Sequence, residues 1–347
     1  MSDEFRELLK RVGSGTHTSR NLTRDEAKQA TTMMLQQQAT PAQIGAFMIA
    51  HRIKRPTPEE LAGILDAFDQ LGSHINACPQ HHHQPVVLGN PYDGRSRTVP
   101  VTVITALILA TVDIPIIMHG GETIPTKYGI PFVEIWRRLR VDFSKFDLAK
   151  AQNIYNQTKL GFIYLPQHFP AAHNFVIYRK QIGKRPPFST AELAWCPVLP
   201  NCSLVSGFVH PPTEERFRAT FKLRHTQDFT LVKGLEGSCD LSRNRTGIIS
   251  IGTPDQDFER ILLDPADYDL RGSDIVFESD EQALDLIQAV IHGTQNKLFS
   301  AAVLNGGFYL WRFKLASSLD SAFELARTIL TEGKVAIKLK QLQNFCR

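Results

Sequence analysis

From Val99 to Met118 the chain is almost free of charge, and this stretch limits the folds open to it more than any other. A membrane span needs about 20 unbroken apolar residues, whereas Thr102, Thr105, Asp113 and Pro115 interrupt this one. The pattern predicts a buried helix over Val101 to Val112, followed by an apolar strand over Ile114 to Met118. Just upstream, Pro85-Val86-Val87-Leu88 reads as a short strand that ends at Gly89 and a polar loop from Asn90 to Thr98. Strand, loop, helix and strand make a βαβ unit, which implies a largely parallel sheet flanked by helices.

The front of the chain has a different rhythm. Phe5, Leu8, Leu9 and Val12 share one helical face, and Gly13 and Gly15 end that helix. Thr23 with Glu26 forms a capping box, Thr40-Pro41 opens a third helix and Thr57-Pro58-Glu59-Glu60 a fourth. Residues 73–85 read as a linker. Further strands are expected at 161–165, 203–209, 229–233 and 247–251, with helices near 131–139, 171–182, 213–223, 280–292, 297–313 and 319–332. The fold class is therefore α/β: a small all-helical domain over residues 1–75 beside a larger domain over 76–347, which has a mostly parallel sheet and carries the ligand cleft.

With 39 Lys and Arg against 35 Asp and Glu, the formal charge of +4 neither requires nor excludes a polyanion, since patches matter more than totals. Five cysteines without a CxxC pair argue against a disulfide framework and a cysteine zinc site, and fit a reducing compartment. The first twelve residues carry no signal-peptide pattern, so the expected location is cytoplasmic, with no membrane partner. His81-His82-His83 with Cys78 lacks matching ligands at metal spacing.

In an open parallel sheet, ligands bind beyond the carboxyl ends of the strands. The loop Gly89 to Thr98 joins a strand end to a helix start, where backbone N–H groups can cradle phosphate, and it adds Arg95 and Arg97. A solvated surface loop is the other reading. His119-Gly120-Gly121 follows the next strand and permits close backbone approach to a ligand. Arg179, Lys180, Lys184 and Arg185 share one helix, a ligand face or an ordinary solvated one.

Residues 39–47 and 57–63, with Leu304-Asn305-Gly306-Gly307 and 322–327, resemble the anthranilate phosphoribosyltransferases over nearly the whole chain. The resemblance implies the nucleoside phosphorylase-like fold, a later helical insertion near 171–195, and a homodimer paired through the helical domains. The family's diphosphate loop, GTGGDG followed by NIST, falls on Gly89 to Thr102. Gly89, Asp93, Gly94 and Thr102 match, while Pro91, Tyr92, Val99 and Val101 depart. By resemblance Gly89, Asp93, Gly94, Arg95 and Thr102 meet the donor's phosphates, and His119, Gly120 and Arg179 meet the acceptor. Lys-His-Gly-Asn becomes Met118-His119-Gly120-Gly121, and the metal-binding Asp-Glu pair becomes Cys239-Asp240, with Glu236 nearby as a substitute carboxylate if the loop shifts.

Losing a lysine, two close-approach glycines and a metal carboxylate removes several kcal/mol of transition-state stabilisation, at ~1–3 kcal/mol each. The pattern, including Gly234-Leu235-Glu236-Gly237, resembles the divergent TrpD-like subfamily, which implies nucleic-acid binding rather than tryptophan-pathway transfer. The alternative is an active transferase that moves a ribosyl phosphate from phosphoribosyl diphosphate (PRPP), with Mg²⁺, to an aromatic acceptor. A scaffold partner without ligand chemistry is the third reading.

Overall fold

The structure, a computed structural model, describes residues 3–15, 17–253 and 258–346; the outermost residues of the two expected domains, 1–2 and 347, lie outside it. Four helices open the chain: α1 (Asp3–Gly13), α2 (Arg24–Leu35), α3 (Pro41–Lys54) and α4 (Pro58–Leu71). Capping boxes start three of them, at Thr23/Glu26, Thr40/Gln43 and Thr57/Glu60, so the local sequence fixes their entry points. The third of these boxes also reaches beyond its own helix. Buried Glu60 accepts from the Leu22 N–H at 2.8 Å, the Thr57 N–H at 2.7 Å and Lys54 Nζ at 2.7 Å, tying α2, α3 and α4 together.

The segment read as a linker holds a short strand, β1 (Ile75–Asn76). The expected unit follows as β2 (Val86–Leu88), α5 (Thr102–Thr111) and β3 (Ile116–Gly120). Helix α5 is apolar on every side and lies wholly inside the protein. No helix among the described residues is long and apolar enough to cross a membrane. Next come α6 (Phe132–Arg138), α7 (Leu148–Thr158), β4 (Leu160–Tyr164), α8 (Leu165–His168), α9 (Pro170–His173), α10 (Phe175–Ile182) and α11 (Phe188–Ala194). The chain continues through β5 (Val198–Leu199), β6 (Ser203–Gly207), α12 (Pro211–Leu223), β7 (Asp228–Val232), β8 (Gly247–Gly252) and β9 (Glu259–Leu263). It closes with α13 (Asp280–Ile291), α14 (Phe299–Arg312), α15 (Leu319–Thr331) and α16 (Lys334–Phe345).

The main sheet runs β4-β3-β2-β6-β7-β8-β9; its first five strands are parallel, β8 pairs antiparallel to β7, and β9 antiparallel to β8. Strand alternation sorts its side chains between two cores. Val86, Leu88, Ile116, Met118 and Val205 face α5 and the C-terminal helices, while Val87, Ile117 and Leu204 face the helical unit. Helices α8–α11 join that unit: Phe169, Phe175, Phe188 and Trp195 pack in the same core as Phe68 of α4.

Several details depart from the sequence reading. Elements α7, β9 and α16 were not anticipated, and the helix expected at 171–182 breaks at Asn174 between α9 and α10. Cys196 and Cys202 are joined across six positions, a single link and no framework, while Cys78, Cys239 and Cys346 are free.

Candidate functional site

The carboxyl ends of β2, β3, β6 and β7 meet under α10 and α11, and the loops that leave them form a cleft between the helical unit and the sheet. Gly89 ends β2. A Cβ placed there would lie 2.2 Å from the Leu193 carbonyl oxygen of α11, so this glycine serves the approach of the chain to itself. Gly94 holds φ +69° and packs on the Gly129 backbone, which sets the sharp turn of the loop.

Tyr92 fills the middle of the cleft. Its ring is buried, and its hydroxyl lies 2.6 Å from His119 Nδ1. His119 stands edge-on to Trp195 as well. Burial takes the His119 pKa down to about 4, so the imidazole is neutral at pH 7 and accepts the Tyr92 proton at Nδ1. Burial, followed by the Glu192 charge, pushes the Tyr92 hydroxyl well above its ordinary value, so it stays a donor. Tyr92 lines two small cavities, one on each side of its ring. The cavity towards Asn90, Arg95, Gly120 and Ser238 has about 20 Å³ of free volume, and the one towards Phe68, Phe175, Phe188 and Arg179 about 40 Å³. The smaller has room for a water or two.

Cations inside the cleft all have carboxylate partners from the same chain. Arg179 is buried between Asp93 (3.1 Å) and Glu192 (2.9 Å), and Arg185 also binds Asp93, at 2.6 Å through Nε. These pairs join the Asn90–Thr98 loop to α10 and α11. Burial raises the Glu192 pKa and Arg179 pulls it back. Buried Arg95 pairs with Asp240 and also binds the Thr98 hydroxyl. Asp240 in turn accepts the Val101 N–H at 2.9 Å and the Thr102 hydroxyl at 2.7 Å. The start of α5, where the sequence pointed to phosphate, thus receives a carboxylate of the protein itself.

Glu236 does the same one turn earlier in the loop. Its backbone sits at φ +55°, and its carboxylate accepts the N–H groups of Ser96 (3.2 Å), Arg97 (3.0 Å) and Thr98 (3.1 Å), with Lys127 Nζ at 3.3 Å. Burial pushes its pKa up, but Lys127 and these amides outweigh burial and hold it below the usual range. Asn305 and Tyr309 of α14 fix the loop from behind: the Leu241 N–H donates to Asn305 Oδ1 at 2.7 Å, and the Tyr309 hydroxyl donates to the Cys239 carbonyl at 2.6 Å.

The sequence-derived residues Gly89, Asp93, Gly94, Arg95, Thr102, His119, Gly120, Glu236 and Asp240 thus gather around one cleft, with Arg179 closing its far side. Met118, in the position of the family's lysine, points away into the apolar core around α5. Two residues were missed. Lys127 carried no motif, and Glu192 sat in an unremarkable helix.

The family models match in two pieces. A helical bundle domain of the glycosyl transferase family covers residues 6–72, and its a/b domain covers residues 93–336. The chain is 22% identical to the anthranilate phosphoribosyltransferase of Caldicellulosiruptor saccharolyticus, over 97% of this chain and 98% of that protein. It is 25% identical to that of Azorhizobium caulinodans, over 98% and 96%. The anthranilate phosphoribosyltransferase of Thermus thermophilus superposes with a TM-score of 0.78 at 15% identity over the whole of both chains. That of Saccharomyces cerevisiae, in complex with PRPP and Mg, superposes with a TM-score of 0.81 at 14% identity, over 99% of this chain and 97% of that one. Joining that helical bundle to that a/b domain, the chain belongs to this glycosyl transferase family and is similar along nearly its whole length to its anthranilate phosphoribosyltransferases.

Proposed function

We propose that this protein binds a phosphate-bearing polyanion, nucleic acid, along the basic rim of its cleft in the cytoplasm, and that it does not carry out tryptophan-pathway phosphoribosyl transfer. The observation that carries this reading is a contrast in charge. Inside the cleft Arg95, Lys127 and Arg179 are matched by Asp240, Glu236, Asp93 and Glu192. Outside it, cations crowd one another. The exposed Arg52 guanidinium donates to the Arg185 backbone carbonyl at 2.5 Å, which brings it beside Arg185, whose own side chain is held by Asp93. Burial, followed by the Arg55 charge, lowers the Arg216 pKa. Arg97 and Lys184 are exposed as well. Like charges held this close favour an anion that spans them. Other basic clusters in the sequence are ordinary ion pairs: Arg137 binds Glu122 and Asp142, and Arg224 binds Asp66 and Asp69.

The metal that accompanies PRPP in the yeast relative does not fit the residues present here. The thiol of Cys239 donates to the Gly89 carbonyl at 2.9 Å, Asp240 is held by Arg95 and Thr102, and no group of three or more His, Cys, Asp or Glu gathers among the described residues. No step through Mg²⁺ is therefore derived. A homodimer through the helical domain completes the proposal, supported by Ile53 of α3 and Ile177 of α10, which are 77% and 51% exposed on packed neighbours. Light scattering tests it: a dimer that Ile177→Asp converts to monomer is expected, and a monomeric parent protein removes it.

Binding of single-stranded and duplex oligonucleotides, followed by anisotropy across a salt series, tests the main reading. Affinity should fall steeply with salt and fall further in Arg52→Glu/Arg55→Glu. Absent or salt-insensitive binding overturns it. Titration with PRPP and Mg²⁺ should be silent; saturable, Mg²⁺-dependent binding restores the transferase reading, with Asp93, Arg95 and Thr102 on the donor and His119 and Arg179 on the acceptor.

A further inference from the structure

The cleft lies beyond the carboxyl ends of the strands. A separate cavity, with about 260 Å³ of free volume, opens at the other end of the sheet, where β2, β6 and β7 begin and α14 stops. It is smaller than the ~300–1,000 Å³ of sites for drug-sized ligands, so it suits a small metabolite and not a nucleotide. Three kinds of wall meet in it. Val86, Ile114 and Phe313 supply apolar surface, Asp228 an anion, and Arg312 and Lys314 two cations. The Arg312 side chain is 10% exposed; its Nη2 binds Asp228, and its Nε donates to the Thr230 hydroxyl at 2.9 Å. The Ser203 hydroxyl holds the other Asp228 oxygen. Arg312 Nη1 makes no hydrogen bond among the described residues, and neither does the ammonium of exposed Lys314. A cation at a helix C-terminus is ordinary, and Arg312 already answers α14 in that way. Lys314 adds another beyond the helix, in a left-handed turn of φ +63° that sets it on the cavity wall.

We propose that this cavity binds a small apolar α-amino acid as its zwitterion. Arg312 Nη1 and Lys314 take the carboxylate, Asp228 takes the ammonium, and the side chain lies on Val86, Ile114 and Phe313. Thr230 and Asp228 hold the Arg312 fork before any ligand arrives, so little side-chain entropy is lost at that contact. Asp228 offsets Arg312 in charge, and α14 ends here with its partial negative charge, which leaves Lys314 as the surplus. That balance suits a ligand without net charge and disfavours a polyanion such as PRPP or an oligonucleotide. A carboxylate without an amine leaves Asp228 unanswered, and an amine without a carboxylate leaves Lys314 and Arg312 Nη1 so. The inference does not rest on nucleic-acid binding, since it concerns the opposite end of the sheet from the cleft.

Ligand-observed NMR titration of the full-length protein with leucine and phenylalanine tests it, beside the deaminated and the decarboxylated form of each. At least one amino acid should bind saturably, and its two one-charge forms about fivefold more weakly or worse. Lys314→Asn, which tolerates the left-handed turn, should weaken the amino acid about fivefold. Asp228→Asn should remove the preference for the amino acid over its deaminated form. If Asp228→Asn is unstable, Lys314→Asn still decides, because it changes an exposed side chain without a partner. Arg52→Glu/Arg55→Glu, at the rim of the cleft, should leave amino-acid binding unchanged. No binding by either amino acid, a deaminated form that binds as tightly as its parent, or affinity that survives Lys314→Asn overturns the proposal. A protein that ignores oligonucleotides but passes these tests loses the polyanion reading and keeps this one.

Discussion

The Tyr92 hydroxyl, 2.6 Å from His119 Nδ1, ties the end of the second strand's loop to the end of the third strand, and in doing so divides the cleft in two. Both residues are buried, and neither is charged at pH 7. The pair is a piece of core set in the middle of the candidate site.

That arrangement makes a pH prediction. With its pKa at about 4 in the folded chain and near 6.5 when unfolded, His119 binds fewer protons folded than unfolded between those values. Its contribution is complete above about pH 6.5 and is lost as pH falls to about 4, amounting to about 3 kcal/mol. Urea midpoints measured from pH 7 to pH 4 should decline, and His119→Gln should flatten the decline. An NMR titration that finds His119 protonated at pH 5.5 would contradict it.

Glu60 acts lower on the scale. Burial opposes its charge, but His51, whose Nε2 lies 3.3 Å away, Lys54 and the Leu22 amide outweigh burial and bring its pKa to about 2, against an ordinary 4.5. The stability it adds is present above about pH 4.5 and fades as pH falls to about 2. Glu60→Ala leaves Lys54 and two amides without their acceptor, and should cost about 3–5 kcal/mol at pH 7. Thermal melts of Glu60→Ala and Glu60→Gln check this, the glutamine being the milder because it still accepts from the amides.

The two arginines on Asp93 should differ. Arg179 is 3% exposed and also holds Glu192, so Arg179→Ala strands buried Glu192 and leaves Asp93 only Arg185, and should cost about 3–5 kcal/mol. The Arg185 side chain is 33% exposed, and its removal leaves Arg179 on Asp93, so Arg185→Ala should cost about 1 kcal/mol or less. Denaturant curves for the two variants, compared at pH 7, give the difference directly.

Gly89→Ala drives a methyl group into the Leu193 carbonyl. Either the second strand or α11 must give way, at about 1–3 kcal/mol. Hydrogen exchange should show the loosening in residues 188–195 and in the Asn90–Thr98 loop, while α14 and α15 stay protected. Uniform loosening would place the strain elsewhere.

Much of the fold was legible because its signals are local. Threonine followed three residues later by Glu or Gln, and proline just after threonine, marked α2, α3 and α4. The uncharged run from Val99 gave the buried helix. Asp147, whose side chain accepts the Lys150 N–H at 2.8 Å, was an available signal for α7 that went unread. The candidate site was legible as an inventory and illegible as a circuit. Arg95 and Asp240 are 145 residues apart, and the Arg97–Glu236 contact spans 139, so nothing local announces either pairing. Whether Glu236 turned inward or outward depended on a left-handed backbone residue, and the same letters allow both.

The contact between Gly89 and Leu193 bears on how such loops are recognised by their letters. A glycine after a strand is commonly counted as a mark of phosphate binding. Here the want of a side chain at Gly89 is demanded by a neighbouring carbonyl of the same chain. A matched glycine can therefore answer to the packing of the chain on itself, and a tally of motif letters does not tell that demand from a ligand's.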